Sequence, residues 1–178
     1  DYENIYIIDS NTTTCALRIL VEQAVKLRDE GLRAEDIVAE LTRLRERVVL
    51  LAMVDTLEYL HKGGRLSKSS TILGTLLKFK PILNVGDGVI SVLGKERGVN
   101  KAVGRIIEAI SEIGEIDDSY PVHLGYTAQD DQCLLLKEKL EERFKLHDMP
   151  MHPVGCVVGT HAGPGACLIT YVNLNYSR

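Results

Sequence analysis

Val48-Val49-Leu50-Leu51-Ala52-Met53-Val54 constrains this chain more than any other segment, because seven consecutive apolar residues run without a polar interruption. A strand wetted on one side alternates; an unbroken run belongs to a strand covered on both faces. Such a sheet needs helices above and below it, and the flanking sequence supplies helical periodicity. Upstream, Leu17, Leu20, Val21, Ala24 and Leu27 recur at helical spacing behind a choice of N-caps from Asn11 to Thr14, and Gly31 closes that helix. Ala34 to Arg47 reads as a second helix, with Ile37, Val38, Leu41 and Leu44 on one face. Downstream, Asp55 caps a short helix, Thr56 to Lys62, and Ser69 or Ser70 caps another that carries Ile72, Leu73, Leu76 and Leu77 and stops at Pro81. Pro81 to Val85 and Val89 to Leu93 flank Gly86-Asp87-Gly88, a β-hairpin signal. Val99 to Ile110 is the clearest amphipathic helix, and Cys133, Leu136, Leu140 and Phe144 mark a further one, with Glu141 and Lys145 spaced for an ion pair. Ile5 to Ile8, Val122 to Tyr126 and Met151 to Val158 read as strands, and Ala166 to Val172 is a further apolar run. The alternation gives an α/β fold.

The 178 residues, 45% of them hydrophobic, suffice for one large or two small domains. A formal net charge of -4 gives no global field for nucleic acid or an anionic membrane. No window approaches the roughly 18 consecutive apolar residues of a membrane span. The acidic opening, Asp1 to Asn4, runs straight into the strand Ile5 to Ile8 and does not read as a signal peptide; a leading strand with no preceding unit fits a chain whose first half is absent. Cys15, Cys133, Cys156 and Cys167 lie far apart, each beside small or apolar residues, which favours buried thiols in a reducing compartment over disulfides and makes no metal site.

Two segments can carry chemistry. In His61-Lys62-Gly63-Gly64-Arg65-Leu66-Ser67-Lys68-Ser69-Ser70, bare glycine backbone and the planar Arg65 fork suit a carboxylate or phosphate beside an apolar wall. The plainer reading is a glycine-capped helix end with a solvated basic turn. In Thr160-His161-Ala162-Gly163-Pro164-Gly165, glycine N–H groups can form an anion-binding concavity and His161 can donate to an oxyanion. The plainer reading there is a turn with His161 at its tip. The nucleophile elbow, phosphate-loop, dinucleotide and zinc-protease motifs are all absent from the sequence. Asp87 belongs to a turn, His123 reads as a satisfied, half-buried strand residue, His61 sits near the negative pole of a helix, and Lys95 and Arg97 form a basic corner.

Together the segments resemble the DegV family of bacterial fatty-acid-binding proteins. The resemblance rests on Asp55-Thr56-Leu57-Glu58-Tyr59-Leu60 leading into Lys62-Gly63-Gly64-Arg65-Leu66-Ser67, then Lys80-Pro81-Ile82-Leu83, Asp87-Gly88, Lys95-Glu96-Arg97 and His161-Ala162-Gly163-Pro164-Gly165. Ile8-Asp9-Ser10, followed by a helix and Gly31, resembles the middle of a member. It implies two α/β domains with a long-chain fatty acid between them. Residues 1–47 would be the remainder of the first, and residues 48–178 a second domain with a mixed sheet and helices packed on it. It further implies a cytoplasmic carrier rather than a catalyst, with no cofactor beyond its lipid. Its partner would be a fatty-acid kinase that phosphorylates the presented carboxylate for phospholipid synthesis. By this resemblance Arg65 and His161 receive the carboxylate with the Gly163 and Gly165 turn, and Arg97 belongs to a kinase-docking surface. Leu66, Ile72, Leu73 and Leu76 serve equally as tunnel lining or as core. Two features depart from the family: the opening part of a typical member, with its hydroxyl-rich head-group motifs, is missing, and Asn11 to Ala16 lacks the usual glycines.

Burying an acyl tail yields about 0.8 kcal/mol per methylene, against about 1.5–3 kcal/mol for one charge-assisted hydrogen bond. The tail therefore sets affinity and the polar residues set orientation. The competing expectations are an acyl- or phosphoryl-transfer enzyme, with His161 as base and Gly163 to Gly165 as oxyanion nest, and a docking module with no ligand site.

Overall fold

Strand β1 (Val48–Met53) lies in the interior of a six-stranded sheet and is hydrogen-bonded on both edges. A computed structural model of the chain describes residues 3–66 and 78–175. On one side β1 pairs antiparallel with β2 (Lys80–Gly86), which pairs with β3 (Val89–Glu96). On the other it pairs antiparallel with β6 (Cys167–Val172), then β4 (His123–Tyr126), with β5 (Met151–Pro153) parallel at the edge. The order β3-β2-β1-β6-β4-β5 makes the sheet mixed, as the sequence led us to expect. Asp87 and Gly88 both take left-handed conformations (φ 52° and 70°), so the expected hairpin closes on a two-residue turn that follows the strand twist.

The period of two along β1 sorts the layers. Val49, Leu51 and Met53 meet α4 (Val99–Ile113) and α5 (Asp131–Phe144), whose Ala102, Ile106, Leu136 and Leu140 are fully buried. Leu50 and Ala52 face the opposite layer, where Cys15 and Ala16 of α1 (Thr14–Asp29) pack. Ile19 and Leu20 of α1 then bury Leu41 and Leu44 of α2 (Ala34–Leu44), and a single 3-10 turn, Arg45–Arg47, leads into β1.

Three expectations are corrected. Ile5 to Ile8 forms no strand: Ile5 and Ile7 are 65% and 91% exposed, and no neighbouring strand pairs with them among the described residues. The strand from Met151 ends at Pro153, which cannot continue a ladder, and the remaining apolar residues wind into α6 (Cys156–Ala162). Val157, Val158 and Ala162 fall at helical spacing on α6, and Val154 precedes it. Finally, Cys15, Cys133 and Cys167 are buried, whereas Cys156 is exposed on α6; all four are free thiols. Lys145 ends α5 in a left-handed conformation (φ 58°) and gives Glu141 its backbone N–H at 3.1 Å. The short helix expected after Ser69 lies outside the described residues.

Arg47 ties the sheet to the loop after α4. Its guanidinium bonds the Asp117 carboxylate, donates from Nε to the Asn173 carbonyl at 2.9 Å, and lies 5.5 Å from the Tyr120 ring centroid. Burial pushes the Asp117 carboxyl up, but the Ser119 hydroxyl and Arg47 outweigh it and hold it below the usual carboxylate value. A carboxyl lowered on folding stabilises the protein above its unfolded value, 3.8, and that contribution is lost as pH falls through the folded one. Arg47→Met is expected to cost about 2 kcal/mol at neutral pH, because it strands a mostly buried carboxylate. Urea unfolding should show that cost shrinking as pH falls below 3.8 and on through the lower folded value, where Asp117 takes up its proton; a cost that does not change with pH would refute the ion-pair account.

Candidate functional site

A cavity of about 300 Å³ opens on the sheet face opposite α4 and α5. Register builds its floor: Leu83, Ala52 and Leu168 cross β2, β1 and β6 in one row, Val85 and Ile90 pair across β2 and β3, and Leu50 lies two residues before Ala52 on the same face of β1. Its walls are Thr13 and Thr14 at the start of α1, Leu60 of α3 (Glu58–Lys62), and Val157, Val158 and His161 of α6. Among the described lining residues Arg65 is the one side chain with a permanent charge. A largely apolar slot with few polar groups suits a ligand that is mostly hydrocarbon with a polar end.

The polar end of the slot is assembled around Gly63. Leu57 to Lys62 form one helical turn, with the Thr56 hydroxyl accepting the Glu58 N–H at 3.2 Å in place of the expected Asp55 cap. Gly64 (φ 70°) then reverses the chain so that the Arg65 N–H reaches the Leu60 carbonyl at 2.9 Å. The Arg65 guanidinium donates to the Gly63 carbonyl at 2.9 Å, and the side chain is exposed at the mouth. His161, on the last turn of α6, packs its ring edge on the Gly63 backbone, where a Cβ would lie 2.0 Å from Nδ1. That Nδ1 has no hydrogen-bond partner among the described residues, and neither do the buried hydroxyls of Thr12 and Thr14. Arg65 and His161, 96 residues apart in sequence, therefore converge on one glycine and one cavity.

The other expected residues fall elsewhere. Gly163 and Gly165 (φ 75° and 74°) shape the turn after α6 and do not line the cavity. A Cβ on Gly163 would meet Tyr59 at 2.3 Å, and one on Gly165 would meet Asp55 at 2.8 Å, itself paired with Lys80. The N–H groups of this turn are engaged internally: Gly163 on the Gly159 carbonyl at 2.8 Å, Gly165 on the Thr127 carbonyl at 3.3 Å, Ala166 on the Thr127 hydroxyl at 2.9 Å. Leu66 is buried with Leu57 and Leu60 in the cluster beneath the slot. Ile72, Leu73 and Leu76 lie outside the described residues. Arg97 is exposed past β3, its guanidinium 4.9 Å from the Phe79 ring centroid, with Lys95 Nζ at 5.3 Å on the same ring.

Sequence reasoning missed Thr127. It is buried at the end of β4, and its hydroxyl donates to the Gly163 carbonyl at 2.6 Å while accepting from Ala166, so it staples the turn behind α6. A polar residue just past a strand's C-terminal end was the available signal. Thr13 and Thr14 were read as cap candidates; Thr13 is the cap residue, yet its side chain makes no cap bond.

The model of the DegV family of uncharacterised proteins matches residues 1–174. A DegV domain-containing protein of Clostridium perfringens is 34% identical over 174 residues, covering 96% of this chain and 60% of that relative. The solved structure of a fatty acid binding DegV family protein from Streptococcus agalactiae is 30% identical, with a TM-score of 0.82, covering 96% of this chain and 60% of the other. The Streptococcus pneumoniae Fatty Acid Kinase (Fak) B3 protein loaded with linoleic acid is 27% identical, with a TM-score of 0.84 and the same coverage of both. The chain thus spans about three-fifths of the length of the curated relatives it matches.

Proposed function

This chain belongs to the DegV family, and from that premise and the cavity together we propose that it contributes one wall of a long-chain fatty-acid site and presents the carboxylate for phosphorylation by a fatty-acid kinase. The observation that carries the reading is the convergence of Arg65 and His161 on Gly63 at one end of an apolar slot. The tail lies on the Leu50–Ala52–Leu168 floor, and the carboxylate meets the Arg65 fork and the His161 ring. Tail burial at about 0.8 kcal/mol per methylene outweighs the head-group bonds, so the polar pair fixes which end faces out. The likeness to a Fak B3 protein supports a kinase as partner, with Arg97 and Lys95 at the docking surface. A carrier is favoured over an acyl-transfer enzyme because the N–H groups of Gly163, Gly165 and Ala166 are already bonded within the protein. Among the described residues no helix is long and apolar enough to cross a membrane, and we assign the carrier to the cytoplasm. Residues 1–47 we assign to the end of the first of two domains.

Native mass spectrometry of the purified protein, followed by lipid extraction, tests this. A stoichiometric long-chain fatty acid, in this chain or in a protein that carries the first domain whole, supports the reading; both staying empty after incubation with palmitate and oleate refutes it. Arg65→Ala is expected to weaken fatty-acid binding about tenfold, the loss of one charge-assisted bond. Folding should hardly change, because the exposed guanidinium bonds the Gly63 carbonyl of its own loop. Collapse of folding would instead make Arg65 structural.

A further inference from the structure

Four side chains from three elements form a closed polar ring at the edge of the sheet. Arg18 and Glu22, one turn apart on α1, pair at 2.6 Å. Glu22 Oε2 lies 2.8 Å from Nε2 of His123 on β4; His123 Nδ1 lies 3.3 Å from Nε2 of His152 on β5; and His152 Nδ1 lies 3.4 Å from Arg18 Nη1. The ends dictate the protons between them. A carboxylate only accepts and a guanidinium only donates, so Arg18 donates to His152 Nδ1, His152 Nε2–H to His123 Nδ1, and His123 Nε2–H to Glu22. Each of the four ring nitrogens then has one complementary partner, and both rings are neutral. His123 is 3% exposed, so its two ring bonds are made out of contact with water, while Arg18 and Glu22 reach the surface.

We propose that this polar ring is a clasp that fastens α1, and with it the Thr13–Thr14 wall of the cavity, to β4 and β5 at neutral pH and releases it on acidification. A proton added to His152 Nδ1 faces the Arg18 donors. A proton added to His123 Nδ1 forces His152 to shift its own proton to Nδ1, with the same clash. A second proton sets two cations side by side. The groups facing the rings are Arg18 and Glu22 from α1 and each other; β6 contributes the Thr170 hydroxyl, bonded to the His123 carbonyl at 3.3 Å. Burial, then Arg18 and His123, hold His152 below the ordinary imidazole value of 6.5, so the unfastened state takes up more protons beneath that value. The closed state is therefore fully favoured above pH 6.5 and loses that advantage as pH falls below it. The clasp bears on lipid release only through the fatty-acid reading above, on which that part rests.

The first readout needs no lipid. Amide hydrogen exchange over Thr14–Asp29 is followed from about pH 8 to about pH 5, corrected for the intrinsic chemical rate. Opening of α1 should rise severalfold over that range, because the opened state takes up protons that the closed one excludes. His152→Gln should flatten that rise, since its amide donates to His123 and accepts from Arg18 without titrating. Should that variant fail to fold, Arg18→Gln serves, because its amide can meet His152 Nδ1 with a donor or an acceptor. The second readout is the off-rate of a fluorescent long-chain fatty acid over the same range, expected to follow the exchange in the wild type and to be flat in the variant. A flat exchange profile in the wild type overturns the clasp, as does an equal rise in both proteins or a neutral-pH nitrogen spectrum with the His152 proton on Nδ1. Exchange that rises as expected in a protein binding no fatty acid at any pH keeps the clasp and removes the ligand reading.

Discussion

Gly163→Ala is expected to destabilise the protein by about 3 kcal/mol and to displace His161 from the cavity. Gly163 sits at φ 75° and ψ 174°, a region that side chains other than glycine essentially do not occupy. An added Cβ also lands 2.3 Å from Tyr59 Cδ2, inside the contact between α3 and α6. The two penalties differ in kind. Tyr59 is 40% exposed, so its ring can swing into water, whereas the backbone cannot change φ without breaking the Thr127 bond to the Gly163 carbonyl. The double variant Gly163→Ala/Tyr59→Ala should therefore recover only a minor part of the loss. Urea unfolding of both variants measures this. A single-variant loss under about 1 kcal/mol would mean the turn is looser than its bonds imply, and full recovery in the double variant would assign the cost to the clash alone.

The layers of the fold were legible because they follow from local pattern. The Val48–Val54 run could only be an interior strand, and Asp87-Gly88 between two β-rich runs could only close a hairpin. The residues of α4 repeat so regularly that Ala102, Val103, Ile106 and Ile110 all fall in the core. Legibility failed where a segment carries two periods at once. Met151 to Val158 is apolar enough for a strand, but Pro153 ends the ladder and Cys156, Val157 and Val158 begin a helix instead. His161 consequently rides on a helix end, not on a loop tip. Ile5 to Ile8 has the residues of a strand, yet a strand exists only against a neighbour.

The site was half legible for a related reason. Arg65 and His161 stand out by type beside glycines, but their meeting depends on Gly63 letting α6 touch the turn after α3, a tertiary contact that no spacing records. Thr127 acts through a turn 36 residues away, and the Arg18–His152 contact spans 134. His123 was read as satisfied and half-buried; it is more deeply buried than that, and its partner Glu22 lies 101 residues upstream.

Ala52→Phe is expected to abolish fatty-acid binding while leaving the fold intact, the sharpest separation of site from scaffold available here. Ala52 holds the centre of the cavity floor, with Leu83 on one side and Leu168 on the other, and its 8% exposure is exposure to the slot. A phenyl group there grows into open space, so no core atom has to move and stability should change by no more than about 1 kcal/mol. The acyl chain loses that space. Displacing about four methylenes forfeits roughly 3 kcal/mol of burial at 0.8 kcal/mol each, at least a hundredfold in affinity. Ala109 gives the control: it is equally small but fully buried on α4 against the other face, and Ala109→Phe should unfold the protein because nothing there is empty. Fluorescent fatty-acid titration and urea unfolding, run on both variants, read the two effects independently. Wild-type affinity in a folded Ala52→Phe protein would mean that the acyl chain does not lie on this floor, whatever Arg65 and His161 hold.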